Sequence, residues 1–172
     1  MAYNYAFEEF NPETMARASR VNSRISLKKS VELSRAIRGM KVSRAKQYLE
    51  AVTKQEELVP YKRFNTEMPH KKGKGIMAGG YPVNVAKEFL LILHNALKNA
   101  ENLGLGEAEE LRIKSASVRQ GASRYKMSRL SGRKMKATHV EIILVQDTRK
   151  KQAQKNSLTK KGGDNKWLRE KL

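Results

Sequence analysis

Three histidines, two groups of carboxylates and one glycine-rich basic segment are the residues of this 172-residue chain whose types suit catalysis or metal binding. His70, His94 and His139 are scattered, and none has a second His at ligand spacing. The chain contains no cysteine, so a zinc ribbon, a disulfide framework and a thiol nucleophile are excluded together. Glu56-Glu57 and Glu107, Glu109 and Glu110 read as loop and helix-end surface rather than as an acid/base pair. The run His70-Lys71-Lys72-Gly73-Lys74-Gly75 suggests a phosphate cradle, but it has no preceding strand, no GKS or GKT and no spaced GxGxxG. A nucleotide P-loop is therefore not expected there, and a flexible loop that lays lysines on an RNA backbone fits better. No Ser–His–Asp set or nucleophile elbow is legible. The expectation is a protein that is not an enzyme and needs no cofactor or metal.

What remains is basic chemistry. Residues 111–140 hold no acid, yet they carry Arg112, Lys114, Arg119, Arg124, Lys126, Arg129, Arg133, Lys134 and Lys136. So many like charges repel one another in water, and such a segment makes sense if a polyanion orders it. A second acid-free stretch, 14–31, has Arg17, Arg20, Arg24, Lys28 and Lys29. A third basic segment, the loop 60–82, has Lys62, Arg63, His70, Lys71, Lys72 and Lys74. Arginine presents a planar fork to phosphates and stacks on bases, whereas lysine acts as a point charge. Tyr125 can stack on an unpaired base, an ordinary exposed loop tyrosine being the other reading.

Composition agrees. With 36 Lys and Arg against 17 Asp and Glu, the formal net charge is +19. An imbalance of that size costs stability by self-repulsion unless a counter-charge binds. Nucleic acid is the first candidate, an anionic membrane surface the second and an acidic protein the third. Apolar runs such as 89–93 and 142–145 are too short to span a bilayer. Glu8, Glu9 and Glu13 near the start do not read as a signal peptide. A cytoplasmic protein held in a larger assembly, with no membrane insertion, is expected.

The elements that must position these cations follow from periodicity. Residues 1–13, mildly acidic and aromatic, read as a docking arm or a frayed end, and 14–147 as one domain. Alternation around Val21, Ser23, Ile25 and Leu27 suggests a strand with one basic face. A helix over 29–38 ends at Gly39, and a second begins after Ser43 as N-cap, with Ala45, Tyr48, Leu49 and Val52 on its apolar side. Pro82 suits the first turn of the best helix. Its stripe is Ala86, Phe89, Leu90, Leu93, Ala96, Leu97, Ala100 and Leu103, ended by Gly104. The acid-free segment and the return strand 139–145 read as an antiparallel hairpin whose apolar base belongs to the core and whose basic length projects. Each arm, if paired throughout, extends roughly 30 Å. The tail, 148–172, is Lys-rich and expected to order only when bound.

Several of these pieces resemble, in order, the archaeal and eukaryotic branch of large-subunit ribosomal protein twenty-two (the eukaryotic member is numbered seventeen). The matching segments are Arg38-Gly39-Met40, Ala45-Lys46-Gln47-Tyr48-Leu49 and Val59-Pro60-Tyr61-Lys62-Arg63-Phe64-Asn65. Gly80-Tyr81-Pro82, the long helix through Asn102, and His139-Val140-Glu141-Ile142-Ile143-Leu144 also match, and Arg129-x-x-Gly132-Arg133 is similar to the family's RxxGR element. The resemblance covers roughly 14–147. It implies an α+β fold, three helices packed on a small antiparallel sheet, with a long projecting basic β-hairpin. It also implies a structural role in the large ribosomal subunit. Large-subunit rRNA and neighbouring ribosomal proteins would be its partners, with the nascent peptide near the hairpin tip. By the matching positions Arg129, Gly132 and Arg133 would lie near the tunnel end, and Arg119, Arg124 and Lys126 along the ascending arm. Family hairpins commonly carry a proline and a tighter basic triplet in that arm, where this chain has Arg119-Gln120-Gly121-Ala122-Ser123-Arg124.

Two other functions compete. An architectural DNA-binding protein can use a basic β-ribbon as an arm, usually with an apolar or proline wedge. Residues 111–140 have no proline and only Met127, Leu130 and Met135 as apolar candidates near the tip. An enzyme acting on RNA is disfavoured by the lack of converging acid, histidine or metal-ligand clusters.

Overall fold

The computed structural model describes residues 4–73, 75–106, 108–127, 129 and 131–146. Lys74 and the tail from 147 onward lie outside the described residues. In chain order the elements are β1 (Met15–Ser23), α1 (Leu27–Ile37), α2 (Val42–Thr53), β2 (Val59–Tyr61), β3 (Ala78–Gly80) and α3 (Val83–Asn102). There follow β4 (Leu111–Gln120), β5 (Tyr125–Lys126), β6 (Arg133–Lys134) and β7 (Thr138–Gln146). The main sheet has the order β1-β7-β4 and is antiparallel throughout. This is the expected α+β arrangement of three helices on a small sheet.

One side of the sheet holds the core. Along β7, Val140, Ile142 and Leu144 alternate toward the helices and are fully buried. Opposite them, α3 lies along β1 and β7 and contributes Phe89, Ile92, Leu93 and Ala96. Each large apolar side chain buried in this way contributes roughly 1.5–3 kcal/mol. The expected stripe is found, with Val85 and Ile92 added and Leu103 left outside at 51% exposure. Pro82 is the N-cap rather than a helical residue, and Gly104 takes the left-handed conformation at φ 66.

The second helix begins one residue before Ser43: Lys41 is its N-cap and no side chain caps it. The turn between α1 and α2 depends on Gly39, at φ 83, where a side chain would be strained. Its N–H donates to the Ile113 carbonyl and Ile113 donates back to Met40, both at 2.9 Å, so the turn is stitched to β4. β4 is an edge strand, and an open edge invites foreign pairing. Here α1 also covers it, because Ser34 Oγ and Arg38 Nη2 both donate to the Ala116 carbonyl, at 3.0 and 2.9 Å.

The outer side of the sheet is covered by the N-terminal arm, which docks on its own domain. Tyr5 and Phe10 clasp the Arg17 guanidinium, each ring centroid 4.3 Å away. Phe7 lies 4.8 Å from the Lys114 ammonium, and the Ala6 N–H donates to Glu141 Oε2 at 2.9 Å. These contacts reach β1, β4 and β7 in turn, over a face where Ile143 is 2% exposed. Replacing Tyr5 and Phe10 together by alanine should cost about 1–2 kcal/mol, since it removes both cation–π contacts. The check is thermal unfolding with limited proteolysis: early cleavage before residue 14 is the expected result, and an unchanged cleavage pattern would contradict the docking.

Candidate nucleic-acid interface

Of the described side chains expected to meet a polyanion, Arg112 is half-buried and the others are exposed. Their alternation, however, splits the first group. Arg17 pairs in register with Ile143 and faces the arm, whereas Arg20 pairs with Val140 and faces the helices. The strand therefore has no single basic face. Arg17 is held between two rings, and Arg20 Nε lies 2.9 Å from Glu88 of α3. Both add positive potential while their forks are occupied within the protein.

The acid-free segment is built in two stages. Its ascending arm stays in the sheet as far as Gln120, with Leu111, Ile113 and Ala116 fully buried, so the core reaches further along it than expected. Lys114 is the extra residue of a bulge between Ile113 and Ser115. The sheet register ends at Gln120 opposite Thr138, and Gly121 still donates to the Ala137 carbonyl at 2.9 Å. Beyond it Tyr125 stands opposite Lys134 and Lys126 opposite Arg133. Counting from Gln120 and Thr138, the ascending arm has gained one residue. That insertion falls in the Gly121-Ala122-Ser123-Arg124 stretch and is a bulge, which bends a ribbon and increases its twist.

Gly121 permits that bend by close approach. A Cβ there would meet Asn22 Oδ1 at 2.6 Å, His139 Nε2 at 3.1 Å and the Ala137 carbonyl carbon at 3.3 Å. Asn22 is itself left-handed at φ 56, and its N–H donates to His139 Nδ1 at 3.1 Å. His139 thus ties the end of β1 to the hairpin neck. Gly121→Ala should destabilise the protein by about 1–2 kcal/mol, because this junction must open to admit a methyl group. A melting temperature equal to that of the unaltered protein would show that the junction yields freely.

The neck also gathers cations that are distant in sequence. Arg24, Arg124 and Lys136 line a depression of about 300 Å³, and Lys28, Lys134 and Lys136 line another of about 410 Å³. Tyr125, Lys126, Arg129, Gly132 and Arg133 lie exposed beyond it. Tyr125 is 67% exposed, as stacking on a base requires. Among the described residues, Arg124, Lys126, Arg129, Arg133, Lys134 and Lys136 have no acidic partner within the protein.

The segment expected as a loop over 60–82 is closed at its base. Val59, Pro60 and Tyr61 pair with Gly80, Gly79 and Ala78, and His70 bridges to Ala78. Glu32 of α1 sets where this loop begins. Its carboxylate, 1% exposed, accepts the N–H groups of Lys62 at 3.1 Å and of Arg63 and Phe64 at 2.7 Å each. Burial pushes the Glu32 carboxyl up, but those three N–H bonds and the charge of Arg35 outweigh it, so its pKa lies below the ordinary carboxylate value. The Phe64 ring collects the Arg63 guanidinium at 5.3 Å and the Lys28 ammonium at 5.9 Å. Lys71 lies 5.9 Å from the Tyr81 ring, while Lys29 and Lys72 are simply exposed.

Two arginines outside the expected set belong here. Arg35 and Arg38 of α1 line a cleft with Arg63 and Arg119. Their spacing along a helix looks like ordinary solvated surface, and only the folded edge of β4 brings them beside the other two. Among the described residues no His, Cys, Asp and Glu side chains come together to hold a metal ion.

Residues 18–145 match the family described as ribosomal protein L22p/L17e. The chain belongs to this family. It is 42% identical over 151 residues to the large ribosomal subunit protein uL22 of Ignicoccus hospitalis, covering 83% of this chain and 94% of that protein. The uL22 proteins of Methanococcus aeolicus and Cenarchaeum symbiosum are 40% and 36% identical, each covering 82% of this chain and 95% of the relative. The L22p/L17e match runs from β1 almost to the end of β7, so it includes the hairpin neck and the loop held by Glu32.

Proposed function

We propose that the protein is a structural constituent of the large ribosomal subunit in the cytoplasm, that it binds large-subunit rRNA and supports its assembly. The arms beyond Gln120 would line the nascent-peptide exit tunnel, with Arg129, Gly132 and Arg133 nearest the peptide. Family membership supports the ribosomal role. The observation that carries the rRNA reading is the set of distal cations that find no carboxylate among the described residues. Phosphate oxygens complete them, and the counterions released on binding supply the driving force.

Pairing at the distal end is short, so ordering of the ribbon is coupled to the folding of RNA around it, as for segments that fold on binding. The groove between α2 and α3, lined by Lys46, Glu50, Leu90, Leu91 and His94, is a surface left for neighbouring ribosomal proteins. No helix among the described residues is long and apolar enough to cross a membrane.

The test is competition at matched salt between folded large-subunit rRNA and duplex DNA, together with co-sedimentation with large subunits. Preference for rRNA and sedimentation with the large subunit are expected. Equal affinity for duplex DNA, with no sedimentation, would favour an architectural DNA-binding protein instead.

A further inference from the structure

We infer that the cleft between α1 and the edge of β4 receives a single unpaired nucleotide of the bound RNA, its phosphate on Arg35 and Arg63 and its base against Val31 and Val118. The inference rests on the rRNA-binding reading above and makes it specific to one place in the protein. The cleft has a volume of about 510 Å³, within the range of small-ligand sites.

Charge selects an anion. Four guanidinium groups, Arg35, Arg38, Arg63 and Arg119, meet there, and among the described lining residues Glu32 is the one acid, with the Glu141 carboxylate in contact with Ala6 and Arg119. The Glu32 carboxylate is taken up by three backbone N–H groups. Arg38 is pinned to the Ala116 carbonyl, and Arg119 Nη2 leans toward Glu141 Oε1 at 3.8 Å. Arg35 makes no hydrogen bond or ion pair among the described residues, although its charge acts on Glu32. Its fork remains available for a phosphate, which guanidinium engages in two parallel bonds.

Shape selects a nucleotide over a bare phosphate of a duplex. Phosphates on a helical backbone need only an exposed row of cations. This site is concave, and Val31 and Val118 are half-buried apolar walls between the cations. The Ser117 hydroxyl on the same rim is half-buried, and Ser34 Oγ, already donating to Ala116, keeps its acceptor positions. Apolar wall, hydroxyls and guanidinium planes are what an unstacked base with its sugar needs.

The experiment compares saturated complexes of the full chain with folded large-subunit rRNA, probed with base-modifying and phosphate-ethylating reagents. The variants are Arg35→Gln, at an exposed position, and Ser117→Phe, which fills the cleft while keeping every guanidinium; thermal unfolding verifies their fold. One base protected by the unaltered protein should regain roughly its free-RNA reactivity in both variants, with the rest of the footprint intact. Affinity should fall about tenfold for Arg35→Gln. Loss of phosphate protection alone, with no base regaining reactivity, would overturn the nucleotide assignment and leave the rRNA reading standing. Absence of any footprint from the unaltered protein would remove both.

Discussion

Replacing Arg124, Lys126, Arg129 and Arg133 together by glutamine is expected to weaken rRNA binding by about two to three decades at moderate salt. None of the four has an acidic partner among the described residues, and all are exposed, so the fold loses little when they are neutralised. The stronger signature is the salt slope. For the unaltered protein, with about ten phosphate contacts across its three basic segments, affinity should fall by three to five decades between 50 and 200 mM salt. Removing four contacts should shallow the slope of log affinity against log salt by roughly three. Equilibrium binding over a salt series measures both. If affinity falls while the slope stays constant, the four side chains act through structure rather than through phosphates.

Glu32→Ala is the substitution with the largest expected effect on the fold, about 2–4 kcal/mol of lost stability. It leaves three N–H groups without their acceptor and frees Lys62 and Arg63 from a defined position. Denaturant unfolding should show the loss, and rRNA affinity should drop severalfold with it. Acid gives a second readout. Because the folded carboxyl titrates below its ordinary value, its contribution is fully present above the ordinary carboxylate pKa and disappears as pH falls through the folded value. The stability gap between the unaltered protein and Glu32→Gln should therefore narrow in that acidic window. A gap that is flat or widening as pH falls would show that the carboxylate is not held by those donors.

Helix α3 was readable because its apolar positions recur at helical spacing, and Gly39 because a left-handed residue must end a helix before a tight turn. The hairpin base was readable as alternation flanking an acid-free run. The strands β2 and β3 were not, since each has three residues, with Pro60 in one and Gly79 and Gly80 in the other, and two such strands carry no period and borrow their order from each other. Glu32 looked like any charged helical residue; its role appears only when a backbone thirty residues away turns its N–H groups inward. The bulge beyond Gln120 was marked in the sequence by the departure from the family's usual proline, but its register shift depends on Asn22 and His139, brought there by the sheet. Arg17 shows the reverse error of scale: its type suits phosphate, and its local alternation gave no sign that Tyr5 and Phe10 fold back over it.

Hydroxyl-radical footprinting on folded large-subunit rRNA reads out whether an apolar-based ribbon carries its cations into the RNA. The intact protein is compared with one in which 121–137 is replaced by a two-residue Asn-Gly turn that closes on the Gln120–Thr138 pair, so that β4 and β7 still pair. Protection in separate rRNA domains, part of which vanishes with the ribbon while the remainder persists, is the result expected. Identical protection by both proteins would contradict the account.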